Sequence, residues 1–345
     1  MTAKIYIFIG LFLLFSHQNV TGQDIIFDHP YSALMYSNPA YTGIFGPLHA
    51  GAAFRSQFTA TPSPYTTYYA EADIFIDKWN SGFGCYVLHD LMASGQLRQT
   101  TVAISYVFDF HVTENLSLRP AIQGIFHNRL RDFRSATFPD MFDLTGTPIP
   151  YISTGYEPYS KNGFDFSAGV LGQYRRLELG FSIHHLGARQ EETYLNRSLK
   201  MAIQAKYIIP LTSPAANEEV SPSEWLEFEH AKLIPSLRYY HQEHYKYLTA
   251  CILVQSGALY AGAGVKTALQ QEVTNISLSV GFLSSAFRIG YTTDFIGWGS
   301  ALSGWQGVSH ELFVHFTFGH FAETPGAANR YRKKHKSKSC FGCYL

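Results

Sequence analysis

The chain has 345 residues, of which 16 % are aromatic and only 15 % are charged, and its 26 basic and 26 acidic residues give a formal net charge of zero. This composition argues against a disordered chain, which would hold few aromatics, and against a uniformly basic nucleic-acid-binding protein. Because no apolar run of about 20 residues occurs, a bundle of membrane-spanning helices is excluded as well. Abundant Tyr, Phe and Gly instead favour an all-β protein and, in particular, a membrane β-barrel.

The N-terminus has the pattern of an export signal. Lys4 precedes an apolar stretch over residues 5–15, which is too short to span a bilayer but is typical of a signal-peptide core. Val20-Thr21-Gly22 then predicts cleavage before Gln23. Residues 1–22 are therefore predicted to be a signal peptide of an exported protein; the alternative is a short N-terminal anchor.

After this region, apolar residues alternate with polar or small ones again and again, as in β-strands with two different faces. Most of the alternating segments have about 9–11 residues or slightly more, which is the length that a tilted strand needs to cross a bilayer. A soluble β-sandwich, the alternative, would show the same alternation in strands of about five or six residues. We predict fourteen strands, at 48–58, 65–75, 80–89, 97–109, 115–128, 163–174, 176–186, 199–211, 231–241, 245–255, 257–268, 272–282, 284–293 and 308–318.

The connections between these strands alternate in length. Even-numbered strands are mostly followed by brief turns, whereas long connections at 129–162, 187–198 and 294–307 follow odd-numbered strands. Short periplasmic turns and long external loops are typical of outer-membrane barrels. The long acidic stretch 212–230 breaks the alternation. The fold class predicted is an all-β, antiparallel, up-and-down transmembrane barrel of about 14 strands, located in the outer membrane of a Gram-negative cell.

The predicted barrel occupies residues 48–319, between two other parts of the chain. Residues 23–47 are predicted to form a periplasmic segment. Residues 320–345 form a tail whose basic side chains either are simply solvated or dock on an acidic partner or anionic surface. The cysteines of the tail, Cys340 and Cys343, are expected to form a local disulfide or to stay free, since a redox or zinc motif lacks its surroundings there. The candidate basic residues of the tail are Arg330, Arg332, Lys333 and Lys334.

Charged residues inside strands indicate what fills the barrel. Arg55 and Arg288 lie in the middle of predicted strands, and an Arg facing lipid at the bilayer midplane would cost about 2–4 kcal/mol. Both are therefore expected to face the lumen and to pair there with acidic residues such as Glu71 or Glu311. The sequence thus predicts a polar network of Arg55, Arg288 and Glu311 inside the barrel.

No arrangement of residues in the sequence suggests catalysis. Motifs for nucleophilic serine hydrolases, zinc proteases and phosphate-binding loops are absent from the sequence. His184 and His185 are adjacent in a predicted strand, so their rings are expected to point to opposite faces and not to share a metal ion. His310 and Glu311 are also adjacent in a predicted strand, so their side chains are likewise expected to point to opposite faces. We therefore predict that the protein is not an enzyme, and that it needs no cofactor and no metal ion.

Several motifs in chain order resemble those of one family. Asn38-Pro39-Ala40-Tyr41-Thr42-Gly43, Phe54-Arg55-Ser56-Gln57-Phe58, Phe287-Arg288-Ile289-Gly290-Tyr291-Thr292-Thr293-Asp294 and Ser309-His310-Glu311-Leu312 are the main matches. Together they resemble the PorP/SprF outer-membrane proteins of Bacteroidetes. This resemblance implies a part of the type IX secretion system or of its gliding-motility branch. It also implies, as partners, periplasmic ring lipoproteins and adhesin-like cargo with C-terminal sorting domains.

The motif before the first strand has two interpretations. Asn38 and Pro39 are typical of a turn, and Tyr41 could pack into the mouth of the barrel, which is the structural interpretation and the favoured one. The functional interpretation makes Asn38, Pro39, Ala40, Tyr41 and Gly43 a plug or a partner contact on the periplasmic side. For the whole protein, the alternative to a secretion component is a porin or solute transporter, because the fold alone does not decide between them.

Overall fold

The computed structural model describes residues 24–113, 115–134, 136, 147, 157–187, 198–211, 231–270, 273–284, 286–298 and 307–318. Three predictions lie outside these residues: the signal peptide, the acidic stretch 212–230, and the basic tail with its two cysteines. No helix in the described part of the chain is long and apolar enough to cross a membrane.

The elements are almost all strands. Within the described residues, they are accompanied by one short helix, α1 (Leu34–Ser37), and by three 3₁₀ turns, Pro39–Tyr41, Asp77–Trp79 and Ala93–Gly95. The strands are β1 Leu48–Gln57, β2 Tyr65–Ile76, β3 Ser81–Met92, β4 Leu97–Phe108, β5 Phe110–Thr113, β6 Leu116–Arg131, β7 Tyr159–Tyr174, β8 Leu177–His184, β9 Lys200–Tyr207, β10 Ile209–Pro210, β11 Lys232–Gln242, β12 Tyr245–Ser256, β13 Leu259–Ala268, β14 Val273–Leu283, β15 Phe287–Trp298 and β16 Val308–Phe318.

The strands close into a ring. Each strand pairs antiparallel with its neighbours, and β1 pairs with both β2 and β16, so the sheet has no free edge. The short strands β5 and β10 follow β4 and β9 and pair with β6 and β11, while β9 also pairs directly with β11. The result is a closed barrel of 14 strands, which confirms the predicted fold class.

The outer face of the barrel is apolar and its inner face is polar. Along β2, Tyr68 and Ile74 are exposed on the outside, whereas Thr67, Glu71 and Asp73 are buried on the inside. A similar alternation holds in most of the longer strands, with exposed Leu, Ile, Val, Phe and Tyr on the outer face. An apolar outer face belongs against lipid tails, and a polar inner face belongs in the lumen.

The barrel has two different ends. One end, here called the short-turn end, carries brief connections such as 175–176 and 257–258, with 211–231 as the exception. The opposite end, the long-loop end, carries the long connections 132–158 and 185–199. Short turns face the periplasm in barrels of this class, so the long-loop end faces outward.

Residues 24–47, here called the inner segment, run through the lumen. Asp24 lies at the long-loop end beside His185 and Lys200, whereas Gly43 lies near the short-turn end against Asp73. The predicted placement of residues 23–47 as a periplasmic segment is thus corrected for residues 24–47. They lie inside the ring because their polar groups pair with inward-facing side chains of strands all around it.

Candidate functional site

The site is the inner segment together with the charged side chains that hold it. At the long-loop end, His185 bridges two carboxylates, with Nδ1 2.5 Å from Asp165 Oδ2 and Nε2 2.6 Å from Asp24 Oδ2. The prediction that His184 and His185 point to opposite faces is wrong. Strand β8 ends at His184, and His185 adopts a positive φ of 65°, so both rings are buried on the inside.

A group of five charged residues, here called the ion cluster, anchors the segment deeper in the lumen. Arg55 Nη2 lies 2.7 Å from Asp28 Oδ2, and Arg55 Nη1 lies 3.5 Å from Glu311 Oε2. Lys266 Nζ lies 2.5 Å from Asp28 Oδ1 and 3.4 Å from Asp294 Oδ2. These side chains are between 1 % and 11 % exposed, so water screens their attraction very little.

Backbone groups of the inner segment complete the ion cluster. The N–H groups of Asp28 and His29 donate to the two carboxylate oxygens of Glu311, at 2.9 and 3.1 Å. Arg238 donates to the carbonyl oxygens of Phe27 and Asp28, at 3.3 and 2.6 Å. With Arg238, three cationic side chains face three carboxylates, and a balanced set of this kind can remain buried.

The predicted lumen network of Arg55, Arg288 and Glu311 is only partly brought together. Arg55 and Glu311 pair with each other as expected, but their main bonds are to the inner segment. Arg288 also faces inward, yet its guanidinium stacks on the ring of Phe45 at 4.1 Å instead of pairing with Glu71 or Glu311. Cation–π packing can replace an ion pair where a buried aromatic ring lies within about 6 Å.

The Asn38-Pro39-Ala40-Tyr41 motif forms a compact turn against β7 and β8. Asn38 Oδ1 accepts a hydrogen bond from the N–H of Ala40 at 2.9 Å, which caps the 3₁₀ turn that Pro39 begins. The Nδ2 group of Asn38 donates to the carbonyl oxygen of Phe181 at 3.3 Å. Gly169 of β7 packs directly against this turn. A Cβ atom at position 169 would lie 2.1 Å from Asn38 Oδ1, so the turn leaves no room for a larger residue.

We expect the variant Gly169→Ala to destabilise the barrel by about 1–3 kcal/mol, the usual cost of an extra methyl group in a filled site. Gly172→Ala on the same strand is the matched control, since its Cβ would meet its nearest atom at an ordinary 3.6 Å. Urea unfolding in detergent micelles, followed by tryptophan fluorescence, gives both values. Equal stability of the two variants would contradict tight packing of the motif on β7.

The rest of the motif is held near the short-turn end. The hydroxyl of Tyr41 donates to Glu178 Oε1 at 2.6 Å, and the N–H of Gly43 donates to Asp73 Oδ1 at 2.9 Å. Arg119 donates to the carbonyl oxygens of Ala40 and Thr42, at 3.3 and 2.6 Å. All five predicted motif residues are therefore buried inside the barrel by contacts within the chain.

Sequence reasoning missed several inward residues of this site, among them Arg119, Glu178, Arg238 and Lys266. Each lies at a position of its strand where alternation places side chains inside. The sequence did contain a signal for them, because each of these charged residues has at least one apolar residue directly beside it in its strand. As a whole, the site joins opposite charges and caps backbone groups, which is a chemistry of holding a segment in place.

The chain is similar to several solved structures. Omp33, an outer membrane protein of Acinetobacter baumannii, is 8 % identical, with a TM-score of 0.43 over 79 % of this chain and 98 % of that chain. The monoaromatic hydrocarbon channel CymD is 10 % identical, with a TM-score of 0.46 over 87 % and 96 %. The KdgM porin is 7 % identical, with a TM-score of 0.35 over 79 % and 99 %. No curated protein matches the chain.

The fold assignment itself rests on the closed ring of strands. A model of the family described as type IX secretion system membrane protein PorP/SprF matches residues 19–316, which is most of the chain. Together with the outer-membrane barrel architecture, this match places the protein in the Gram-negative outer membrane. The chain belongs to the PorP/SprF family of type IX secretion system membrane proteins.

Proposed function

We propose that this protein is a non-enzymatic, plugged barrel that supports the secretion or surface attachment of specific cargo with C-terminal sorting domains. The observation that carries the proposal is the inner segment, which passes through the lumen and is held by buried charges from many strands. A solute channel needs an open path, whereas a scaffold needs a rigid wall that presents its loops and turns. A lumen occupied in this way favours the scaffold.

The surfaces left for partners are the two ends of the barrel. Because Asn38 and Tyr41 are buried, we propose contacts with secretion-ring lipoproteins through the periplasmic turns and the basic tail, in place of the N-terminal motif. Cargo would meet the long-loop end, where the connections 132–158, 185–199 and 299–307 lie. The outer face of the strands contacts lipid and is not available to these partners.

Deletion of the gene should leave at least one adhesin-like protein with a C-terminal sorting domain absent from the cell surface. The intact gene should restore its display, and the variant Gly172→Ala should restore it equally well. Mass spectrometry of proteins released by protease from intact cells measures display. Normal display of every such protein after deletion would contradict the proposal.

A second measurement identifies the partners. An epitope tag is placed in the connection between β6 and β7, outer membranes are dissolved in mild detergent, and co-purifying chains are identified. Secretion-ring lipoproteins or a sorting-domain protein in the eluate would support the proposal. Recovery of the barrel alone would favour the porin interpretation. Single-channel conductance of the purified protein would then decide between a porin and a secretion component.

A further inference from the structure

Three side chains on neighbouring strands converge inside the barrel, apart from the ion cluster. His49 of β1, Glu71 of β2 and His315 of β16 each place a ligand atom within 4.8 Å of the others. Gly51 stands directly opposite both Glu71 and His315 in the strand register. A Cβ at Gly51 would lie 2.7 Å from His315 Cδ2 and 3.2 Å from Glu71 Cγ, so the missing side chain makes room for their approach.

Three of the four imidazole nitrogens of this group lack hydrogen-bond partners within the described residues. His49 Nδ1 lies 2.7 Å from Asp73 Oδ2, while its Nε2 has no partner. Both ring nitrogens of His315 are also without one, and the nearest carboxylate oxygen, Glu71 Oε1, is 3.8 Å from Nε2. Both imidazoles are 0 % exposed. Burying a polar atom without a hydrogen-bond partner costs free energy. We therefore expect a ligand to bind these ring nitrogens of His49 and His315.

We propose that His49, Glu71 and His315 form a binding site for a divalent transition-metal ion, with zinc as the fitting ion. Two imidazoles and one carboxylate are a ligand set that zinc accepts, with the fourth position open. At zinc–ligand distances of about 2.0–2.1 Å the donors must approach one another, which small rotations about the side-chain bonds supply.

The surroundings match this assignment. His49 Nδ1 lies 2.7 Å from Asp73 Oδ2. With the proton on Nδ1, this contact leaves the lone pair of Nε2 directed away from Asp73, as is usual for metal-bound histidines. When ionised, Glu71 and Asp73 would together place two negative charges beside a bound cation. Arg288, the nearby positive group, lies opposite His315 in the register and stacks on Phe45, which packs against both imidazoles. The carboxylates offset its repulsion of a cation.

Zinc binding to the full-length protein, refolded in detergent without a histidine tag, tests the site. Cys340→Ser and Cys343→Ser remove the thiols of the tail, which could bind zinc on their own. After equilibrium dialysis against ZnCl₂, we expect about one bound zinc per chain by elemental analysis. His315→Gln should remove it, and Asp73→Asn should weaken it about 10–100-fold.

The matched control is His310→Gln, on the same strand as His315 but with its side chain outside the ligand group, where it bonds Tyr291. This variant should bind zinc as the parent does. No zinc in the folded parent, or equal zinc in His315→Gln, would overturn the proposal and leave ordered water as the occupant.

A spectroscopic measurement on the parent protein covers the case in which His315→Gln does not fold. Co²⁺ in a tetrahedral site absorbs visible light strongly, whereas octahedral Co²⁺ absorbs weakly. We expect the strong spectrum from the parent and its loss in Gly51→Ala, whose methyl group would occupy the space between His315 and Glu71. A weak spectrum from the parent would overturn the site.

Discussion

Deletion of residues 24–45 should convert a barrel without steady conductance into an open pore. The inner segment occupies the lumen of a 14-strand ring. Barrel diameter grows with strand number, and 14 strands lie closer to the roughly 16–18 of porins, which enclose an aqueous channel, than to the roughly eight of barrels filled by side chains. The side chains left behind include Arg55, Arg119, Glu178 and Lys266, which would line the channel and take up water. Single-channel recording in planar bilayers measures the effect: background current for the intact chain and stable steps for the deletion.

The control for this result is removal of residues 137–156, a stretch of similar length in the connection between β6 and β7. That deletion should leave the current at background, because the inner segment stays in place. Far-UV circular dichroism of both proteins checks that the β-barrel has formed. If the intact chain conducts as steadily as the chain without residues 24–45, the inner segment does not close the barrel and the porin interpretation gains support.

The strands were predictable because their physical cause is local. Lipid on one side and a polar interior on the other impose a period of two, so Phe164 and Phe166 lie outside while Asp165 and Ser167 are buried inside. The cost of an Arg side chain against lipid likewise predicted that Arg55 and Arg288 face the lumen. Strand length and turn chemistry then set the number of strands and the alternation of the connections.

The contents of the lumen were not predictable in the same way. Residues 24–47 carry no periodicity, and their partners lie far away in the sequence: Asp28 meets Lys266, and Tyr41 meets Glu178. Such pairs follow from the closure of the whole ring. Arg288 illustrates the limit. The cost of facing lipid predicted that its side chain points inward, but it could not predict that the guanidinium would stack on the ring of Phe45.

The substitution Arg55→Met should lower the free energy of unfolding by about 3–5 kcal/mol, the usual cost of removing one partner from a buried ion pair. Met keeps most of the length of the Arg side chain. The decrease in the free energy of unfolding therefore measures mainly the removal of the positive charge. Without Arg55, Asp28 retains Lys266, but Glu311 loses its cationic partner in the ion cluster. The carboxylates would then be buried with too little positive charge, and the inner segment would be held less firmly.

Arg134→Met is the matched control for Arg55→Met. Hydrogen bonds from Arg134 lower the pKa of Asp132 to about 2, but this pair lies on the surface beyond the end of β6, where solvent weakens ion pairs. The free energy of unfolding of Arg134→Met, measured with urea in micelles, should therefore equal that of the parent protein. The double variant Asp28→Asn with Arg55→Met should lose less than the sum of the single losses, because each removes the same interaction. If Arg55→Met unfolds at the same urea concentration as Arg134→Met, the ion cluster does not anchor the inner segment.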